Sequence, residues 1–368
     1  MTRNLPPLLG GMEKLNLRMV RGLAEWADVE VVGPSGAESL LAPLPVCEVA
    51  PAPLRAFVPA AAVSAIATAR RVRPQLVVAG SGLTAPMVWM AARAVGARSA
   101  AYVHGLDLIA PHVIYRSLWI PAIRAMDVVV ANSRNTASIA MANGVQAARL
   151  SVVNPGTDLA SPRPGGRERF RSQYGFGDAP VLLSVGRLTA RKGLLEFVTN
   201  ALPAIAGARP DVVLAVIGNE APDALHRVGG GSAALLEAAS RAGVASAVRL
   251  LGPCSDDALD DAYAGADLHV FPVRAVKNDV EGFGMVAIEA AAHGLATVAF
   301  DVGGVGDAIT PDTGALLPPE DYPQMIAVVL RHLEGRHDRE RCRSSAVAFA
   351  WSRFDNEIRQ ILEPQCGL

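Results

Sequence analysis

Lysine is nearly missing from this chain: among 34 basic residues only Lys14, Lys192 and Lys277 are lysines, so arginine is the default cation. A lysine in a loop is therefore less likely to be filler. Cysteine is scarce as well. Cys47, Cys254, Cys342 and Cys366 lie far apart without C-x-x-C spacing, which argues against a disulfide framework or structural zinc and points to a reducing cytosol. No Asp-x-Asp pair occurs, so the usual carboxylate clamp for a metal-bound diphosphate is missing. No strand runs into G-x-G-x-x-G, which argues against a dinucleotide-dependent dehydrogenase. No signal peptide opens the chain. Nor is there a dense basic patch. Residues 1–160 carry 14 Lys and Arg against 9 Asp and Glu, and the remainder 20 against 26. That distribution excludes a nucleic-acid binder and leaves only a weak attraction of the first half to anionic surfaces.

What is present is apolar and long. Hydrophobic residues make up 51% of 368 and charged residues 19%, a globular composition with enough chain for two cores. Pro74–Ala92 is uncharged and long enough to raise a membrane span, but Gly80, Gly82 and Pro86 break it into strand, turn and helix. β-rich runs alternate with helical ones throughout, which predicts parallel sheets covered by helices. The first set is Val29–Val32, Leu76–Ala79, Ser99–Val103, Asp127–Ala131 and Leu150–Val153. The second is Val181–Val185, Val212–Ile217, Val248–Leu251, Leu268–Phe271, Ala296–Phe300 and Ala315–Leu317. The expected division is a first domain over 1–158, a linker over 159–178, a second domain over 179–350 and a final helix over 351–368. Gly229-Gly230-Gly231 reads as a connector. Met12–Ala27 has the apolar spacing of a helix, yet only Met1–Leu5 precede the turn before it. The strand expected to open such a domain is missing or truncated, through a misassigned start codon or a trimmed chain.

Three segments look built to hold a diphosphate. Gly10 and Gly11 precede the first helix, where free N–H groups face outward. Gly186-Arg187-Leu188-Thr189-Ala190-Arg191-Lys192-Gly193 follows a strand, where open α/β sheets bind ligands. There Arg187 can offer a fork and Lys192 a point charge to phosphate. The alternative is a solvated basic loop. Glu281-Gly282-Phe283-Gly284-Met285 leads into a helix carrying Glu289. The N–H groups near Phe283, Gly284 and Met285 can face a phosphate or sugar, and Glu289, alone among alanines, needs hydroxyl donors such as a ribose diol.

Together these segments resemble the family-4 glycosyltransferases of the GT-B fold. The motifs are P-P-L-L-G-G-M-E at Pro6–Glu13, Y-V-H-G-L-D at Tyr102–Asp107, V-V-N-P-G-T-D at Val152–Asp158 and V-G-R-L-T-A-R-K-G at Val185–Gly193. They continue with E-G-F-G-M-V-A-I-E-A at Glu281–Ala290, D-V-G-G at Asp301–Gly304 and Ala350-Trp351, and their order spans nearly the whole chain. The resemblance implies two Rossmann-like domains facing across a cleft, the first binding acceptor and the second a nucleotide sugar. It implies that Arg187 and Lys192 neutralise the donor diphosphate, with Gly11 and its helix approaching from the other domain. Glu289 would hold the ribose, and Glu281 with the backbone of Phe283 and Gly284 the donor sugar. His104 would lie beside the reacting sugar, unless it is a satisfied structural histidine. Asp107 would be an acceptor contact or a helix cap. Two positions depart from the family pattern: Asp307 replaces a common glutamate, and Ala296 a common proline.

Charge compensation by Arg187, Lys192 and two helix N-termini predicts metal-independent turnover with no cofactor beyond the UDP- or GDP-linked donor. The resemblance implies retention of anomeric configuration. It also implies a saccharide or lipid-linked saccharide acceptor, in bacterial surface polysaccharide or glycolipid synthesis. A cytoplasmic location follows. Pro111–Met126 mixes Tyr115, Trp119 and Ile120 with Arg116 and Arg124, which suits either an ordinary core helix or peripheral contact with the inner face of the plasma membrane. The competing readings are a sugar phosphorylase or epimerase of the same fold and a non-catalytic nucleotide-sugar-binding protein.

Overall fold

Short runs of valine, leucine and alanine become parallel strands in two separate units. A computed structural model describes residues 1–8, 10–159, 164–220, 231–335 and 338–367. The chain divides into one unit of Met1–Gly156 with Trp351–Leu368, and a second of Thr157–Ala350.

In the first unit, β1 (Val31–Pro34) pairs with β2 (Val46–Val49), and β3 (Leu76–Ala79), β4 (Arg98–Val103), β5 (Val128–Ala131) and β6 (Leu150–Val152) form a four-stranded sheet in that order. The two sheets are joined by the first residues of the chain. Thr2 N donates to the Val32 carbonyl at 3.0 Å and Gly80 N to the Met1 carbonyl at 2.9 Å. No strand is assigned to the residues that open the chain, but Met1 and Thr2 bond both neighbouring strands, Met1 N donating to the Val78 carbonyl at 2.7 Å. The helix α1 (Gly11–Ala24) follows, starting one residue before the sequence expectation and ending three residues earlier. The uncharged stretch resolves into β3, a short turn and a helix, α2 (Ala85–Val95), with Pro86 in its first turn, where a missing N–H costs nothing. Among the described residues no helix is long and apolar enough to cross a membrane.

The helix Trp351–Leu362 belongs to this first unit. Phe354, Ile358 and Leu362 are buried with Leu15, Met19, Tyr102 and Val128, and Arg18 pairs with Asp355.

The second unit is one six-stranded parallel sheet. Its strands are β7 (Val181–Val185), β8 (Val213–Ile217), β9 (Val248–Gly252), β10 (Leu268–Phe271), β11 (Thr297–Phe300) and β12 (Gly314–Leu317), in the order β12-β11-β10-β7-β8-β9. The order reverses between β7 and β10. At such a switch point the connections leave in opposite directions and open a crevice at the strands' C-terminal ends.

The stretch read as a linker needs correction. Within it, α3 (Gly166–Tyr174) packs on the second unit: Phe170 is buried against Tyr263 and Ala266, and Arg171 bonds Asp267 at 2.6 Å. Its charge-rich sequence hid one buried edge, Phe170 with Tyr174, at helical spacing. Residues 160–163 of that linker, and two of the three glycines at 229–231, lie outside the described residues.

Candidate functional site

The switch point is where the charged motifs of the second unit gather. β7 is buried along its length and ends at Gly186, from which the loop to Gly193 emerges. The loop after β10 runs from Pro272 to Gly284 and into α4 (Met285–Ala292). The two loops touch closely at Gly193. Its φ is +67°, and a Cβ there would stand 1.9 Å from the Pro272 carbonyl oxygen, so only glycine fits. Gly284, at φ +99°, starts α4 in the left-handed region and sits against the Phe271 ring.

Of the residues singled out from sequence, Gly186, Arg187, Lys192, Glu281, Gly282, Phe283, Gly284, Met285 and Glu289 all belong to these two loops and α4. Arg187 is exposed and forms no ion pair among the described residues. Lys192 is different. Its Nζ bonds Glu281 Oε2 at 2.8 Å and stands 4.6 Å from the centre of the Phe271 ring. Burial draws the ammonium below the usual lysine range, and Glu281 only partly restores it. Burial pushes the Glu281 carboxyl up, but Lys192 and Arg191 outweigh it and hold it below the usual carboxylate range. Glu281 is thus an ionised group with two cations on one oxygen. Its own carbonyl accepts from Gly304 N at 2.8 Å, which sets the D-V-G-G segment against this loop. Phe283 is buried, and Glu289 accepts from the Tyr263 hydroxyl at 3.2 Å.

The sequence reading did not single out three members of this neighbourhood. Arg191 pairs with both Asp279 and Glu281. Asp279 lies 88 residues away, a separation no local pattern reveals. His269, inside β10, is fully buried. Its Nδ1 lies 3.0 Å from Thr297 Oγ1, and burial together with Lys192 pushes its pKa down to about 3.

The other sequence candidates lie in the first unit. His104 directly follows β4, and its Nε2 lies 2.9 Å from the Gly80 carbonyl. A carbonyl only accepts, so Nε2 carries the hydrogen in this contact and Nδ1 is the nitrogen left facing away from it. Asp107 accepts from His104 N at 3.0 Å and Gly82 N at 2.7 Å, so its carboxylate braces this loop. Gly10 and Gly11 are exposed at the start of α1. There the helix already has a carboxylate: Glu13 is buried, takes Asn4 Nδ2 at 2.7 Å, and places Oε2 2.5 Å from where a Gly10 Cβ would be. Around it, Asn16 Oδ1, Ser81 Oγ and Asn132 Oδ1 are buried without partners among the described residues. Sequence reading overlooked Asn16 and Asn132, since lone asparagines carry no pattern.

Known proteins agree with this layout. A profile of glycosyltransferase family 4 matches residues 9–161, and one of the group 1 glycosyl transferases matches 179–335. The chain is 34% identical over 244 residues to D-inositol 3-phosphate glycosyltransferase 2 of Catenulispora acidiphila, covering 62% of this chain and 54% of that one. It is 35% identical over 209 residues to the GDP-mannose-dependent alpha-(1-6)-phosphatidylinositol monomannoside mannosyltransferase of Mycolicibacterium smegmatis, covering 55% and 52%. The chain thus spans little more than half the length of these curated relatives. In structure it is similar to Anabaena Alr3699/HepE in complex with UDP-glucose, with TM-score 0.79, 21% identity, and coverage of 100% of this chain and 99% of that one. This likeness places the chain in the GT-B fold, with two Rossmann-like domains.

Proposed function

We propose that this chain, which belongs to the family-4 glycosyltransferases, moves a sugar from a UDP- or GDP-linked donor to a saccharide or lipid-linked saccharide. The observation that carries the proposal is the switch point of the second unit. It presents an arginine, Arg187, that forms no ion pair among the described residues, beside a lysine and an ionised glutamate. Breaking a glycosidic bond leaves charge on the departing diphosphate. Fixed cations that need not reorganise stabilise that charge best. Arg187 supplies a fork for the phosphate oxygens and Lys192 a partly desolvated charge, so turnover needs neither metal nor a further cofactor. Glu281 meets a hydroxyl of the donor sugar, helped by the N–H groups of Phe283, Gly284 and Met285. Glu289 takes the ribose. In the first unit, His104 offers Nδ1 to a saccharide hydroxyl. Among the described residues no side chain at the switch point is left without a task to serve as a dedicated base, which favours retention with the leaving phosphate taking the acceptor's proton.

The acceptor is proposed to belong to bacterial surface polysaccharide or glycolipid synthesis, in keeping with relatives named for inositol phosphate and phosphatidylinositol mannoside. We place the protein in the cytoplasm with peripheral membrane contact, because Val113, Ile114 and Leu118 are exposed at 76%, 56% and 59% beside Arg116. Such a mixture suits an anionic lipid surface.

The test is a panel of nucleotide sugars, including UDP-glucose and GDP-mannose, with inositol 3-phosphate and phosphatidylinositol mannoside as acceptors. EDTA is present throughout and product configuration is read by NMR. A product of unchanged anomeric configuration supports the proposal. Turnover that needs inorganic phosphate indicates a phosphorylase. Nucleotide released without any acceptor indicates an epimerase, and binding without turnover a sensor.

A further inference from the structure

The cluster at the switch point contains two charged side chains to which the mechanism above gives no task. Arg191 Nε donates to Asp279 Oδ1 at 3.0 Å, and its Nη1 reaches Glu281 Oε2. Lys192 Nζ reaches the same oxygen. All four side chains are largely buried, at exposures of 10% for Arg191, 14% for Asp279, 12% for Glu281 and 13% for Lys192. Two charges of each sign balance, so the group is tolerable as a set, while removing one member leaves a buried charge uncompensated.

The bonds are uneven. Both cations take Oε2 of Glu281, and Oε1 has no partner among the described residues. The position of Arg191 is fixed at both ends. Its carbonyl accepts from Arg274 N at 2.9 Å, and its guanidinium is held by Asp279, which ends a tight turn closed by Asp279 N on the Val276 carbonyl at 3.1 Å. A planar guanidinium can span two carboxylates at once; an ammonium, a single point of charge, cannot hold both in fixed orientation. We propose that Arg191 and Asp279 are positioning residues. They lock the Glu281 carboxylate so that Oε2 stays with the cations and Oε1 is presented to a hydroxyl of the donor sugar. The inference rests on the reading of Glu281 as the sugar contact. It adds that the orientation of that contact is set from a loop the donor need not touch.

Three variants test it: R191K, which keeps the charge but loses the fork; D279N, which frees Arg191 and adds one positive charge; and R191Q/D279N, which removes the pair without changing net charge. Each is assayed for kcat and KM with the donor that the unaltered chain accepts, and for UDP and GDP affinity by calorimetry. The expected result is a kcat at least tenfold lower in all three. Nucleoside diphosphate affinity stays within twofold for R191K and the double variant, and is unchanged or tighter for D279N. If the pair acted only through net charge, D279N would bind and turn over better, and R191K would behave as the parent. An active parent whose folded variants keep kcat within twofold, or lose kcat and diphosphate affinity together, overturns this inference alone. A parent that neither binds nor turns over any nucleotide sugar overturns the proposed function and this inference with it.

Discussion

The C-terminal sheet edges of the two units are built from opposite materials. In the second unit the edge is ionic: Arg187, Arg191, Lys192, Asp279 and Glu281 crowd the ends of β7 and β10. In the first unit the buried polar groups around His104 are mostly neutral: Asn16, Ser81, Thr84 and Asn132, with Glu13 taken up by Asn4. A paired cluster of charges can exchange partners with a diphosphate. A neutral set of amides and hydroxyls, three of whose oxygens lack partners among the described residues, can bond hydroxyl groups. The difference teaches that the same sheet edge is specialised by what it buries, not by its topology.

The strongest way to break the contrast is Lys192→Ala. Loss of this cation leaves Glu281 with Arg191 alone and should lower kcat about a thousandfold, roughly 4 kcal/mol at ~1.4 kcal/mol per decade. Wild-type turnover in this variant would mean the ionic edge does not serve the leaving group. The neutral edge is tested next through its support. Phe354 packs edge-on to Tyr102 at 6.0 Å, and Tyr102 lies 5.1 Å from His104. Phe354→Ala should cost about 3–4 kcal/mol of stability, read by denaturant titration.

A third prediction concerns acid and bears on the ionic edge, which lies beside a buried histidine held well below its ordinary range. Burial, with Lys192 nearby, pushes the His269 imidazole down to about 3 in the folded chain, against an ordinary value of 6.5. Between those values the unfolded chain binds a proton that the folded chain refuses. Its contribution is therefore fully present above pH 6.5 and lost as pH falls towards 3, by up to about 1.4 kcal/mol per pH unit. Thermal melts from pH 7 to 4.5 should fall more steeply for the parent than for His269→Asn, and parallel curves would refute the assignment. The smallest effect is expected from His104→Ala, about tenfold in kcat, with UDP and GDP affinity unchanged. Loss of nucleoside diphosphate affinity there would blur the distinction between the edges.

Much of this was legible in the sequence. The central strands read clearly because they are buried on both faces and almost wholly apolar, with only Ser184 and His269 as polar residues; Val181–Val185 and Leu268–Phe271 match to the residue. β2 was missed. Val46–Val49 is brief, follows Pro43 and Pro45, and only Val49 is buried, so it carries almost no pattern. The motif loops were legible because glycine and charge occur together at strand ends. Their internal bonding was not. Arg191 looked like one more cation in a basic run until Asp279 and Glu281 folded over it. Glu281 looked free to hold a sugar, whereas one of its oxygens is already taken. Pairings across 88 to 90 residues belong to topology, and a single sequence does not display them.

The place of Trp351–Leu362 has a consequence for synthesis. Phe354, Ile358 and Leu362 share a core with Leu15 and Tyr102, yet the ribosome makes them after the whole of the second unit. Until they are made, Leu15, Met19 and Tyr102 lack these partners while Thr157–Ala350 is added. The second unit, continuous in sequence, can close first. The first unit can complete that core only after the second has been made.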